Sequence, residues 1–88
     1  MTAVIIEDES LIARELKSKI AEVAPDINIV ETLPSLKTSR KWFMENAEPD
    51  LIFADIQLSD GVSFELFEGY ELKCPVIFTT AYDEYAIR

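Results

Sequence analysis

The stretch Leu51-Ile52-Phe53-Ala54-Asp55-Ile56-Gln57-Leu58-Ser59-Asp60-Gly61 runs four apolar residues straight into a carboxylate and then into a Gly-bearing turn. Pro49-Asp50 bounds it before, and Asp60-Gly61 after. A continuous apolar run this short fits a strand buried on both faces. Asp55 then stands at the carboxyl end of that strand, where open α/β sheets place their ligands.

The rest of the chain repeats the same grammar. Ala3-Val4-Ile5-Ile6 is another short β-branched run, followed at once by Glu7-Asp8-Glu9. From Ser10 the apolar residues Ile12, Leu16, Ile20 and Val23, with Ala13 beside them, recur at helical spacing. Arg14, Glu15, Lys17, Ser18 and Lys19 take the outer face of that helix, and Pro25 ends it. Ile27 to Thr32 comes next, with Ile27 and Ile29 alternating against Asn28 and polar neighbours, a one-faced pattern that suits an edge strand. Pro34-Ser35 supplies a break and an N-cap. The second helix that follows carries Leu36, Phe43 and Ala47 on one face, with Trp42 beside it. Phe64, Leu66, Phe67 and Tyr70 predict a third helix, kept short by Gly69 and closed by Lys73-Cys74-Pro75. Val76-Ile77-Phe78-Thr79 is the fourth strand, and Thr80 to Arg88 reads as the start of a further helix. Alternating strands and helices give the α/β class, with right-handed crossovers, a parallel sheet and helices on both faces. Glu7-Asp8, Asp55 and Thr80, far apart in sequence, converge at one sheet edge through topology alone.

Composition narrows the chemistry. The 88 residues make one small domain, 49% hydrophobic, with a formal net charge of -9. Nucleic-acid binding on these residues is disfavoured, because phosphate contacts need Lys and Arg. The absence of His removes His triads, His-ligated metals and His bases from this chain. Cys74 is the only cysteine, so no internal disulfide forms and a reducing cytoplasm is the natural setting. No apolar run approaches a membrane span, and no signal peptide is visible at the N-terminus.

Three carboxylates, Glu7, Asp8 and Asp55, would repel one another at one edge, and a hard divalent cation such as Mg²⁺ with oxygen ligands would compensate them. A simpler role for Glu7-Asp8-Glu9 is to start a helix, where negative charge suits the dipole. That role needs no partner carboxylate, so a neighbouring Asp55 argues for the cation. Asp55 is a plausible nucleophile toward phosphorus, forming an acyl phosphate. Thr80 is placed to offer a hydroxyl to a phosphoryl oxygen, or simply to cap the next helix. The strand pleat should turn the neighbouring Thr79 away. Asp60-Gly61 makes the turn that carries the chain off.

These residues, in this order, resemble the receiver domain of two-component response regulators, the chemotaxis-regulator-like family. The match consists of the acidic pair Glu7-Asp8, the phosphoacceptor position Asp55, the Asp60-Gly61 loop and Thr80-Ala81. The wording of Val4 to Glu9, Asp55 to Gly61 and Val76 to Ala86 is closest to regulators with a LytTR-type DNA-binding output.

The resemblance implies a flavodoxin-like, doubly wound parallel sheet. Here it would be truncated to four strands in the order 2-1-3-4, with three full helices and the start of a fourth. It implies that residues 1–88 are a receiver domain cut off before strand five, in the cytoplasm, with the output domain absent. It further implies Mg²⁺-dependent acceptance of a phosphoryl group on Asp55 from a sensor histidine kinase. Asp8, Asp55 and the backbone carbonyl of Gln57 would bind the metal, and Glu7 would reach it through water. Thr80 would contact the phosphoryl group and switch, while Gln57 and Tyr82 would tune its lifetime. Such a domain is a signalling phosphoacceptor, not an enzyme acting on an outside substrate. DNA would be reached only through the absent output domain, and no membrane is involved.

The family's strand-five Lys and aromatic switch residue have no counterpart here, and Lys73, before strand four, cannot stand in for that Lys. Strand four becomes an edge, so self-association through it or through an exposed helix face is expected. The competing reading is a pseudo-receiver, an interaction module that is not phosphorylated, or an inactive fragment. A haloacid-dehalogenase-like hydrolase is disfavoured, because Gln57 stands where that family carries a second Asp.

Overall fold

β1 (Thr2–Ile6) lies in the middle of the molecule because its sequence leaves it no other place: Ala3, Val4, Ile5 and Ile6 are all fully buried. The computed structural model describes residues 1–68 and 72–79. The remaining elements are α1 (Ser10–Val23), β2 (Asn28–Leu33), α2 (Leu36–Glu45), β3 (Leu51–Asp55), β4 (Gln57–Leu58), β5 (Gly61–Val62), α3 (Phe64–Glu68) and β6 (Val76–Thr79). The main sheet is parallel, four-stranded and ordered β2-β1-β3-β6, which is the expected 2-1-3-4 arrangement. The expected start of a fourth helix, with Thr80 and Tyr82, lies outside the described residues, as do Gly69 and Tyr70.

Strand alternation sorts the core into two layers. Val4, Ile6, Ile52 and Ala54 pack with Leu33, Leu36, Phe43, Leu58 and Leu66, on the side of α2 and α3. Ala3, Ile5, Leu51 and Phe53 pack with Ala13 and Ile20, on the side of α1. β3 is buried along its whole length, as a strand covered on both faces must be. The connection from β1 runs to β2 on one side, and the chain then crosses over β1 to reach β3. The order of the sheet therefore reverses between β1 and β3, and open α/β sheets bind their ligands at the carboxyl ends of such strands.

Three local expectations are corrected. Val23 is 80% exposed, because the last turn of α1 runs past the sheet. Ala47 is exposed and lies beyond α2, which ends at Glu45 with the Asn46 N–H on the Trp42 carbonyl at 2.9 Å. Clean alternation in β2 fails at Val30. Ala3 faces Ile29 and Val4 faces Glu31, so Val30 is the extra residue of a β-bulge on an edge strand. The Ser35 cap is as expected, its hydroxyl accepting from the Thr38 N–H at 3.1 Å. Among the described residues no helix is long and apolar enough to cross a membrane.

Candidate functional site

Glu7 is the first residue past β1, yet the sheet still holds it: its N–H donates to the Leu33 carbonyl at 2.9 Å. That bond carries a carboxylate into an edge where only 4% of the residue is exposed. Its Oε2 accepts from the Glu9 N–H at 3.1 Å, at the position preceding α1. Asp8 is half-buried beside it. Asp55 closes β3 and is buried. One ligand oxygen from each of Glu7, Asp8 and Asp55 lies within 4.8 Å of the others. The sheet order alone brings the pair after β1 to the residue that ends β3, 47 positions later by subtraction from Asp8 to Asp55.

The electrostatics follow from that crowding. Burial, opposed by the Glu9 N–H and reinforced by the charges of Asp55 and Asp8, pushes the Glu7 carboxyl up to about 7. Burial likewise raises the Asp55 carboxyl; the backbone N–H groups of Gln57 and Ile56 pull it back, and the Asp8 charge pushes it up. Among the described residues Asp55 Oδ1 is buried with no hydrogen-bond partner, a costly arrangement for a carboxylate oxygen.

These features fit Mg²⁺. The three carboxylate oxygens gather within 4.8 Å of one another, close enough for one small cation to serve them together. Hard carboxylate donors, mutual repulsion and an orphaned buried acceptor are what a small divalent cation relieves. Glu7, Asp8 and Asp55 are the residues that would hold it.

The segment after Asp55 forms a structure that the sequence reading missed. β4 and β5 pair antiparallel, Gln57 with Val62 and Leu58 with Gly61, around the two-residue turn Ser59-Asp60. Gly61 has φ +144°, a conformation that L side chains rarely adopt. A Cβ there would stand 2.6 Å from Glu65 Oε2 and 2.7 Å from Leu36 Cδ1. The Asp60 carboxylate accepts from the Leu36 N–H at 2.9 Å and the Lys37 N–H at 3.2 Å. Asp60 thus caps α2 together with Ser35, and those N–H groups, Leu36 first, hold its carboxyl below the ordinary range. The only hint in the sequence was an Asp in a turn; nothing there says which helix it returns to.

The other expected site residues are placed as follows. Gln57 is exposed, its Nε2 donating to the Leu58 carbonyl at 3.4 Å. Thr80 and Tyr82 lie outside the described residues. Thr79 is registered against Asp55 across β3 and β6, so the two share a sheet face, contrary to the expectation that the pleat turns Thr79 away. Lys73 precedes β6, at the sheet edge opposite the acidic cluster, where its N–H and that of Cys74 donate to Glu48 Oε1 at 2.7 and 2.5 Å. Lys73 thus precedes the fourth strand of the sheet, as the sequence reading placed it. Burial first, and then the neighbouring Glu48, pushes the Cys74 thiol up to about 11.

With this geometry in view, the chain is similar to several known proteins. It is 32% identical to the sensory transduction protein LytT of Bacillus anthracis, over all of this chain and 37% of that protein. It is 39% identical to the phyllosphere-induced regulator PhyR of Methylorubrum extorquens, over 91% of this chain and 30% of that protein. The solution structure of the REC domain of the Erythrobacter litoralis PhyR response regulator superposes with a TM-score of 0.76 at 31% identity, covering 98% of this chain and 67% of that one. The chain thus spans about a third of the length of these curated relatives. No family model matches it.

Proposed function

This chain belongs to the receiver domains of response regulators, and from that premise we propose that Asp55 is its phosphoacceptor and that Glu7, Asp8 and Asp55 form its Mg²⁺ site. The observation that carries the reading is the buried Asp55 Oδ1, unpartnered among the described residues, within reach of two further carboxylates at the β1/β3 switch point. Asp8 and Asp55 would bind the metal directly, the Gln57 carbonyl would add a ligand, and Glu7 would reach it through water. Bound Mg²⁺ neutralises charge on the carboxylates and on phosphoryl oxygens.

In the transfer, an Asp55 carboxylate oxygen attacks the phosphorus of a phosphohistidine on a sensor kinase. An O–P bond forms, the P–N bond breaks, and the electron pair stays on the imidazole nitrogen, which takes a proton from solvent. The product is an aspartyl phosphate. The Gln57 and Ile56 N–H groups favour the ionised, nucleophilic form of Asp55 against its burial. The Thr80 hydroxyl would contact the phosphoryl group, and Gln57 and Tyr82 would tune its lifetime. Residues 1–88 would act as the receiver part of a cytoplasmic regulator whose LytTR-type, DNA-binding output lies outside this chain. Resemblance to LytT supports that assignment.

Intact-protein mass spectrometry after incubation with Mg²⁺ and acetyl phosphate tests the reading. One phosphoryl adduct is expected, lost in Asp55→Ala, lost without Mg²⁺ and labile in alkali. No adduct from a folded chain would turn the assignment toward an unphosphorylated interaction module.

A further inference from the structure

The β4–β5 ribbon is too small to hold its own shape. It has two residues a strand, and even longer isolated hairpins are marginal in water. Its position is therefore set by what it touches. At its base the Ser63 N–H donates to the Ile56 carbonyl at 2.8 Å. On one flank the Val62 N–H donates to Glu65 Oε2 at 3.0 Å. Leu58 is buried with Leu36 and Leu66. These contacts leave the tip, and the tip is held by Asp60 on two N–H groups of α2. The close approach at Gly61, which leaves no room for a Cβ beside Leu36, shows how tightly tip and helix start are joined.

The first residue of this ribbon is Gln57, two positions past Asp55. Only Ile56 separates Gln57 from Asp55, so any slip of the ribbon moves the Gln57 N–H and carbonyl relative to the end of β3. Resting on the metal reading above, we propose that Asp60 is a positioning residue of the site. By clamping the ribbon tip to the N-terminus of α2, it fixes the Gln57 backbone beside Asp55 and so sets the affinity for Mg²⁺. Ser35 makes the useful contrast. It caps the same helix end, and the hydrogen bonds of its hydroxyl among the described residues go to Thr38 rather than to the ribbon.

Titration calorimetry with MgCl₂ on the 88-residue chain separates the two roles. Asp60→Ala is expected to weaken Mg²⁺ binding about three- to tenfold, below the loss usual for removing a direct orienting partner of a metal ligand. Ser35→Ala should stay within about twofold, although it loosens the same helix. Asp60→Asn, which can still accept from the Leu36 N–H, should recover part of the loss; it also carries the test should Asp60→Ala not fold. Unchanged affinity in both Asp60 variants overturns the proposal, as does an equal loss in Ser35→Ala, which would reduce Asp60 to a helix cap. Absence of Mg²⁺ binding by the unaltered chain overturns the metal reading itself, and this inference with it.

Discussion

Glu7 shows what a single carboxyl does when the fold forces it among its own kind. Its carboxyl is pushed up to about 7, by burial first. The native state therefore holds a proton that the unfolded chain releases near 4.5. Stability from this group is complete below about pH 4.5 and is lost as pH rises toward 7, so at pH 8 the full penalty of a buried charge remains. Glu7→Gln should accordingly stabilise the metal-free chain at pH 8 by about 1–2 kcal/mol, after discounting for solvent screening. Near pH 4.5 the gain should vanish. Urea unfolding at both pH values, with chelator present, measures it, and an equal gain at both would refute the electrostatic cause. At this scale the acidic trio was legible in the sequence, because an apolar run followed by a carboxylate marks a strand end and parallel topology gathers strand ends. Asp60 as a partner of α2 was not. Its bonds join residues 24 and 23 positions apart, and no local pattern records that return. Thr79 was misjudged for a similar reason: the pleat gives alternation within a strand, but only the register with β3 says which face Asp55 shares.

Elements were legible where periodicity and punctuation agreed, and misread where periodicity outran the packing. Ser35 was readable as a cap because Pro34 precedes it and an apolar face follows. The stripe Ile12, Leu16, Ile20, Val23 looked uniform. Helical spacing says which residues share a face, not how far along the helix the sheet extends. Ile20 is 5% exposed against Val23 at 80%. The same truncation at two neighbouring stripe positions should therefore give different results. Ile20→Ala is expected to cost about 2–4 kcal/mol, from lost transfer energy and an unfilled cavity. Val23→Ala should stay within about 0.5 kcal/mol, since it removes exposed methyl groups and raises helix propensity. Denaturant midpoints at constant slope would measure both, and equal costs would mean that α1 docks along its whole length. The β4–β5 ribbon escaped the sequence reading because two residues a strand carry no detectable alternation. Its evidence is a turn glycine and the tertiary contacts around it.

For the molecule as a whole, the alternation of strands and helices sufficed for the α/β class, and the resemblance supplied the strand order that the structure bears out. What neither gave was the quality of the sheet's two margins. β2 carries a bulge, an exposed Asn28 and an exposed Glu31, features that discourage edge pairing. β6 has no such guard within Val76–Thr79: among the described residues it pairs with β3 alone, with Ile77 47% and Phe78 40% exposed. Phe78 is partly occupied, its ring meeting Phe64 edge-on at 4.9 Å, whereas Ile77 lies on the opposite face, in register with Phe53. An apolar edge of this kind pairs with another strand when one is offered, and the strand most available in a pure sample is a second β6. The 88-residue chain should therefore self-associate, its average mass rising above 10.0 kDa as concentration increases. Ile77→Lys should shift that rise to higher concentration by about tenfold, because a charge placed at an edge opposes burial there. The fold should survive the change, since Ile77 is already half open to solvent. Light scattering from about 10 μM to about 1 mM would measure both chains, a range that brackets the micromolar-to-millimolar dissociation constants expected of a small interface. A constant monomer mass throughout would show that β6 is not left open to a second copy. Association that Ile77→Lys leaves unaltered would place the contact away from β6, on an exposed apolar side chain of a helix such as Leu11 or Val23.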